Sequence, residues 1–214
     1  MSSEPTVYVV DDDAEVCKSL RRLIESAGFR VATYASAREF LNGYDAKTPG
    51  CLVLDVRLPG YSGLNLQQQF VSDGIGLPII ILTGRGDVAA AVHATRTGAL
   101  NYTEKPFDDQ PLLDRVRRAV EWDIRNRVER TERADIVARL ALLTPREREV
   151  LDRVVIGRAN KQIAWDLGIS TKTVEAHRAH VMEKMRAQSL AGLVQLVQTV
   201  GVNGQPGLTP ETQP

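Results

Sequence analysis

The sequence predicts an α/β fold followed by a smaller all-α region. Over the first half of the chain, short runs rich in β-branched residues alternate five times with amphipathic stretches. This alternation is typical of a doubly wound, five-stranded parallel sheet with helices on both faces. The second half has helix-capping and turn residues between its apolar stretches. At 214 residues the chain exceeds the usual size of one domain, so two domains are expected.

The alternation gives the expected order of elements in the first half. Strands are predicted near residues 6–10, 30–34, 51–54, 78–82 and 100–103. Helices are predicted near residues 14–27, 36–45, 63–72, 87–97 and 108–121, with Asp13 as the cap of the first. The last helix is predicted to continue into a charged helical linker over residues 121–142. Its apolar residues keep i, i+4 spacing at Val116, Val120, Ile124 and Val128.

The second half contains the pattern of a helix-turn-helix. Thr144 and Glu147 form a capping-box pair at the start of a helix that Gly157 ends. A short helix through Leu167, a turn at Gly168 and a third helix follow, and two helices joined by a short glycine-containing turn define the motif. The later segments are predicted as a third helix over 171–185, a fourth over about 189–200 and a disordered tail after Gly201.

Polar residues follow four of the five predicted strands. Asp11 and Asp12 follow the first strand, and Asp55 ends the third. Thr83 ends the fourth strand, and Lys105 follows the fifth. In an open parallel sheet these positions share the edge where ligands bind. Crowded carboxylates repel one another unless a hard cation joins them, so the group predicts a Mg²⁺ site where Asp55 can accept a phosphoryl group.

The chain from Thr6 to about Val200 resembles bacterial response regulators of the FixJ/LuxR (NarL) type, whose receiver domain has the CheY-like fold. The resemblance implies that Asp11, Asp12, Asp55 and the backbone carbonyl of Arg57 hold Mg²⁺. It implies that Asp55 takes a phosphoryl group from a sensor histidine kinase. Further implied features are a cis Lys105–Pro106 bond, phosphoryl-oxygen ligands at Thr83 and Lys105, and a switch aromatic at Tyr102.

The stretch from Leu143 to Val197 resembles the LuxR-type output domain. The resemblance is carried by LTPREREVL at 143–151, NKQIA at 160–164 and STKTVEAH at 170–177. It implies that the third helix enters the major groove of double-stranded promoter DNA, and that the protein dimerises on phosphorylation. RNA polymerase is a further candidate partner. The candidate DNA contacts are Lys161, Thr171, Lys172, Thr173, Glu175, His177, Arg178 and Lys184.

The resemblance implies that the chain has four regions and that it is a regulator rather than an enzyme. The regions are a receiver domain at 1–120, a helical linker at 121–142, a DNA-binding domain at 143–200 and a tail at 201–214. A regulator of the same build that works without phosphate is the main alternative. A hydrolase with Asp55 as its nucleophile is another. A nucleotide-binding oxidoreductase is a third alternative, because Gly84, Gly86 and Glu104 match a dinucleotide-binding fingerprint. That motif belongs on the first βα unit of a nucleotide-binding domain, however, and too little sheet follows it here.

Composition restricts the classes of partner. The chain carries 27 Lys and Arg against 27 Asp and Glu, so its net charge gives no general attraction to nucleic acid. Residues 144–214 carry 9 basic and 7 acidic side chains, which is only a small positive excess. Cys17 and Cys51 follow no metal-binding or redox spacing and are expected to be buried thiols. The polar start of the chain and its short apolar runs predict a cytoplasmic protein without a membrane partner.

Overall fold

The computed structural model describes residues 4–58, 69–70, 72, 75–84 and 101–201, without the side chains of Asn101 and Tyr102. The chain divides into two compact units, Met1–Val128 and Glu129–Pro214. The helix predicted near 87–97, most of the one near 63–72 and the tail after Gly201 lie outside the described residues. No described helix is both long enough and apolar enough to span a membrane.

The first unit is built on a sheet of five parallel strands in the order β2-β1-β3-β4-β5. The strands are Thr6–Val10 (β1), Arg30–Tyr34 (β2), Gly50–Asp55 (β3), Ile79–Thr83 (β4) and Asn101–Glu104 (β5). All five predicted strands are therefore confirmed, with their ends displaced by no more than one residue. The predicted doubly wound α/β architecture is confirmed as well.

Alternate residues of the strands enter two apolar layers, because successive side chains of a strand point to opposite faces. Val7 and Val9 lie in one layer with Leu20 of the helix Ala14–Ser26 (α1). Tyr8 and Val10 lie in the other, with the helix Ala37–Gly43 (α2). As predicted, Asp13 caps α1, since its side chain accepts hydrogen bonds from the backbone N–H groups of residues 15 and 16.

A single long helix, Asp109–Ala141 (α3), confirms the predicted continuation into the linker. Val116 and Val120 are buried against the sheet. Ile124 and Val128, which continue the same i, i+4 series, are 39% and 53% exposed. The apolar stripe of α3 therefore leaves the core of the first unit after Val120.

An ion pair with a buried carboxylate nevertheless fixes α3 to the first unit beyond that point. Asp123 is 1% exposed, and its Oδ2 accepts hydrogen bonds from the Gly50 N–H at 2.9 Å and from Arg127 Nε at 2.6 Å. Arg127 Nη1 also donates to the Ala46 carbonyl at 2.6 Å. Gly50 is required at the start of β3, because a Cβ there would lie 1.9 Å from the Thr6 carbonyl oxygen. The first turns of the predicted linker are thus attached to the sheet.

The described part of the second unit contains four helices besides the end of α3. They are Pro145–Val155 (α4), Asn160–Leu167 (α5), Thr171–Met185 (α6) and Leu190–Thr199 (α7). The predicted capping box is confirmed, with Thr144 and Glu147 bonded to each other's backbone N–H groups at the start of α4. Gly168 ends α5 with φ of +64°, a left-handed conformation that favours glycine.

One apolar core joins the helices of this unit. Val150 and Leu151 of α4 meet Ile163 of α5, Val174 of α6 and Leu193 of α7. The C-terminal part of α3 contributes two further buried side chains, Ile136 and Leu140. α5, the Gly168 turn and α6 form the predicted helix-turn-helix within this core.

Candidate functional site

The strand order places a crevice between the carboxyl ends of β1 and β3. The chain passes from β1 to β2 on one side and then returns to β3 on the other side of β1. Ligands bind at such a reversal point in open α/β sheets. Asp11 directly follows β1, and Asp55 is the last residue of β3. The sheet therefore brings the two carboxylates to the same place, as the sequence predicts.

Asp11 is held in a fixed orientation. It is 2% exposed, and its Oδ1 accepts a hydrogen bond from the Asp13 N–H at 3.0 Å. Its Oδ2 lies 2.7 Å from Lys105 Nζ. The neighbouring thiol of Cys17 donates to the Asp11 carbonyl at 3.3 Å.

Both predicted buried thiols, Cys17 and Cys51, are confirmed as buried.

Asp55 lies on the other side of the same ammonium group. Its Oδ1 is 3.0 Å from Lys105 Nζ, and its Oδ2 accepts a hydrogen bond from the Arg57 N–H at 3.1 Å. Burial raises the pKa of Asp55 above its ordinary value, although the hydrogen bond and charge of Lys105 oppose the rise. Lys105 therefore opposes the effect of burial on the Asp55 carboxylate.

Lys105 bridges the two buried carboxylates from the end of β5. Burial works to lower the pKa of Lys105, but its hydrogen bonds to Asp11 and Asp55 outweigh burial, so the pKa rises. The backbone N–H of Lys105 donates to the Thr83 carbonyl at 2.7 Å, and this hydrogen bond joins the ends of β4 and β5. The implied cis Lys105–Pro106 bond is confirmed. Thr83 is 1% exposed at this edge.

The donor atoms of this edge fit Mg²⁺. One carboxylate oxygen from each of Asp11, Asp12 and Asp55 lies within 4.8 Å of the others. Among the described side chains here, Lys105 is the cation paired with Asp11 and Asp55. Three carboxylates against one ammonium leave an excess of negative charge, and oxygen donors are the ligands that Mg²⁺ prefers. The chemistry of the donors thus agrees with the predicted metal.

The candidate DNA-binding residues lie along α5 and α6 of the second unit. Lys161, Lys172, Thr173 and Glu175 are exposed, while the others are half-buried. Thr173 also belongs to the cap of α6, because its N–H donates to Ser170 Oγ at 3.0 Å. The half-buried candidates are Thr171, His177, Arg178 and Lys184.

Two of these basic side chains are bonded within their own domain. Arg178 Nη1 donates to Asn160 Oδ1 at 2.7 Å, which ties α6 to the start of α5. Lys184 Nζ lies 2.6 Å from Glu147 Oε2 and 3.2 Å from the Leu142 carbonyl. The hydrogen bond from Lys184 lowers the pKa of the buried Glu147 to about 2. Burial alone would raise this pKa, whereas the hydrogen bonds from Thr144 lower it further. These contacts were missed from the sequence, and only the capping-box position of Glu147 hinted at them.

Comparison with known proteins gives both halves of the chain a family. Residues 7–117 match the response regulator receiver domain. Residues 141–197 match the bacterial regulatory proteins of the luxR family. The chain belongs to the response regulators that combine a receiver domain with a LuxR-type helix-turn-helix domain.

The similarity extends over nearly the whole chain. Nodulation protein W of Bradyrhizobium diazoefficiens is 43% identical over 94% of this chain and 89% of its own length. The transcriptional regulatory protein FixJ of Azorhizobium caulinodans is 43% identical over 95% of this chain and 97% of its own. The solved structure of response regulator StyR has 42% identity and a TM-score of 0.83, and covers 92% of this chain and 99% of its own. The similarity therefore includes both of the regions that match a family.

Proposed function

We propose that this protein is a transcription regulator of a two-component system that phosphorylation of Asp55 activates. The observation that carries the proposal is the convergence of Asp55, Asp11 and Lys105 at the reversal point of the sheet. The composition of the family, a receiver joined to a LuxR-type domain, supports regulation of transcription rather than catalysis. We assign the receiver to residues 1–120, the linker to 121–142 and the DNA-binding domain to 143–200.

The proposed reaction moves a phosphoryl group from a histidine of a sensor kinase to Asp55. An Asp55 carboxylate oxygen attacks phosphorus, the phosphorus–nitrogen bond of the donor breaks, and the electron pair returns to the histidine ring. Mg²⁺, held by Asp11, Asp12, Asp55 and the Arg57 carbonyl, would neutralise the charge of the incoming oxygens. Lys105 is already within 3.0 Å of Asp55 and can follow the negative charge as it moves to phosphate.

Phosphorylation is proposed to act outward through Thr83 and Tyr102. The phosphoryl group adds nearly two negative charges beside Lys105. The Thr83 hydroxyl, buried at the end of β4, is a hydrogen-bond donor for those charges. We propose that Thr83 turns toward phosphate and that Tyr102, whose side-chain position lies outside the described residues, then moves inward. The changed receiver surface is the proposed site of dimerisation.

Thr83→Ala is expected to separate phosphorylation from dimerisation. The variant retains Asp55, Lys105 and the acidic residues, so it should still take up phosphate from acetyl phosphate and Mg²⁺. It should dimerise about 5- to 150-fold more weakly, because a relay of this kind couples two sites by roughly 1–3 kcal/mol. Sedimentation of both phosphorylated proteins measures the difference. Equal dimerisation constants for Thr83→Ala and wild type would rule out the relay.

Lys172→Ala is expected to weaken DNA binding and lower its salt dependence. Lys172 is exposed in the first turn of α6. If it contacts phosphate, its removal should reduce the slope of log affinity against log salt by about one per site. Lys47→Ala is the matched control, since it removes an exposed lysine from the receiver. A slope for Lys172→Ala equal to that of Lys47→Ala would exclude Lys172 from the interface.

DNA selection tests the proposed function as a whole. Full-length protein is mixed with a random DNA pool, with and without acetyl phosphate. A dimer should select an inverted repeat whose half-sites lie about one helical turn apart, and only when phosphorylated. Identical selection in both samples would instead support the phosphorylation-independent regulator. Rapid loss of the label with turnover of the phosphodonor would support the hydrolase.

A further inference from the structure

The helix-turn-helix unit contains a second cluster of metal-ligating side chains, separate from the acidic edge of the receiver. It consists of Glu147 near the start of α4 and of His177 and His180 on α6. One donor atom of each residue lies within 4.8 Å of a donor atom of each of the others. Two of the three histidines of the whole chain therefore belong to one small cluster.

The backbone places the three side chains together. His177 and His180 are three residues apart in the middle of α6, so their rings lie on neighbouring positions of one helix face. Val174 and Val181, in the same helix, are buried in the domain core and fix the rotation of α6 against α4. Glu147 is fixed on α4 by its capping box with Thr144.

The two oxygens of the Glu147 carboxylate have different neighbours. Oε2 accepts the hydrogen bonds of the Thr144 N–H at 2.8 Å and of Lys184 Nζ at 2.6 Å. Oε1 faces His180 Nδ1 at 3.7 Å, which is too long for a hydrogen bond. Donors bound to one tetrahedral zinc ion lie about 3.4 Å apart, given zinc–ligand distances near 2.1 Å. The Oε1 and Nδ1 atoms are thus already close to the separation that a shared metal ion requires.

We propose that Glu147, His177 and His180 form a binding site for a transition-metal cation of the Zn²⁺ class on the DNA-binding domain. Two imidazoles and one carboxylate are a donor set that suits Zn²⁺, Ni²⁺ or Co²⁺ far better than Mg²⁺. His180 is 60% exposed at the mouth of the cluster, so the ion is accessible from solvent and keeps a position for water. The ammonium of Lys184 beside Glu147 weakens the site without blocking Oε1.

The site differs in ligand chemistry from the acidic edge formed by Asp11, Asp12 and Asp55, and this difference makes it testable in the full-length protein. Excess Mg²⁺ occupies the oxygen-only site but competes poorly for imidazole. Titration with Zn²⁺ in excess Mg²⁺ should therefore reveal one bound ion per chain. With Co²⁺ as the probe, the absorption spectrum should show nitrogen and oxygen ligation without a thiolate charge-transfer band.

His180→Ala is the decisive variant, because it removes one ligand from an exposed position and leaves the capping box intact. Zn²⁺ affinity should fall roughly tenfold or more, because losing even a group that only orients a metal ligand typically costs about 10–100-fold. His177→Gln should produce the same loss from the other ring. Glu183→Gln, which removes an exposed carboxylate from the same helix, is the control and should bind like wild type. If His180→Ala and His177→Gln bind Zn²⁺ as wild type does, or if Asp55→Asn abolishes the binding, the proposal is wrong.

Discussion

Asp55→Asn is expected to abolish phosphorylation while the receiver stays folded. Asparagine keeps an oxygen that can accept the hydrogen bond of the Arg57 N–H, and Lys105 retains its ion pair with Asp11. The amide oxygen of asparagine is a poor nucleophile and forms no stable acyl phosphate. The variant should therefore carry no phosphoryl group after incubation with acetyl phosphate and Mg²⁺. Intact-protein mass spectrometry measures the label, and thermal unfolding checks the fold.

The matched control for this experiment is Asp114→Asn. Asp114 is an exposed carboxylate of the same unit and pairs with Arg117 at 2.9 Å. Its replacement should leave phosphorylation at the wild-type level. Stoichiometric label on Asp55→Asn would mean that Asp11, Asp12 or another carboxylate is the acceptor.

Asp123→Ala is expected to destabilise the receiver by about 2 kcal/mol. The substitution leaves the buried Gly50 N–H without its acceptor and removes the carboxylate paired with Arg127. A buried N–H left without its acceptor costs about 1–3 kcal/mol, and losing the pair with Arg127, whose side chain is 26% exposed, adds to that loss. Urea unfolding of the full-length protein, followed through the receiver transition, measures the loss.

An exposed ion pair on the same helix provides the comparison. Asp114 and Arg117 are 51% and 44% exposed, so Asp114→Ala should cost no more than about 1 kcal/mol. The contrast tests whether α3 is fixed to the sheet beyond the apolar stripe. Equal, small losses for Asp123→Ala and Asp114→Ala would show that the contacts of Asp123 contribute no more to stability than an exposed ion pair does.

The sequence was sufficient to predict the acidic edge because parallel strands impose it. Once the runs ending near Val10, Asp55 and Thr83 are placed as parallel strands, their carboxyl ends must lie on one edge. The sequence could not show that Lys105 bridges Asp11 and Asp55. Which side chains come into contact depends on the register between β4 and β5, in which Thr83 lies opposite Glu104.

Long-range pairing explains what the sequence analysis could not predict. Lys184 and Glu147 are 37 positions apart, and Gly50 and Asp123 are 73 apart. Helical spacing reports neighbours three or four residues away and is silent about contacts between elements. The same limit applies to the proposed DNA interface. Lys172 is exposed and Lys184 is bonded to Glu147, but the sequence shows both only as basic residues of one helix.

The central claim is that phosphate on Asp55 controls DNA binding by the second unit. The most direct test measures the affinity of full-length protein for its selected DNA, with and without acetyl phosphate and Mg²⁺, for wild type and Asp55→Asn. Wild type should bind more tightly when phosphorylated, because a dimer makes the second half-site nearly intramolecular. Asp55→Asn should keep one low affinity under both conditions. An equal rise in affinity for both proteins, or no rise for phosphorylated wild type, would contradict the account.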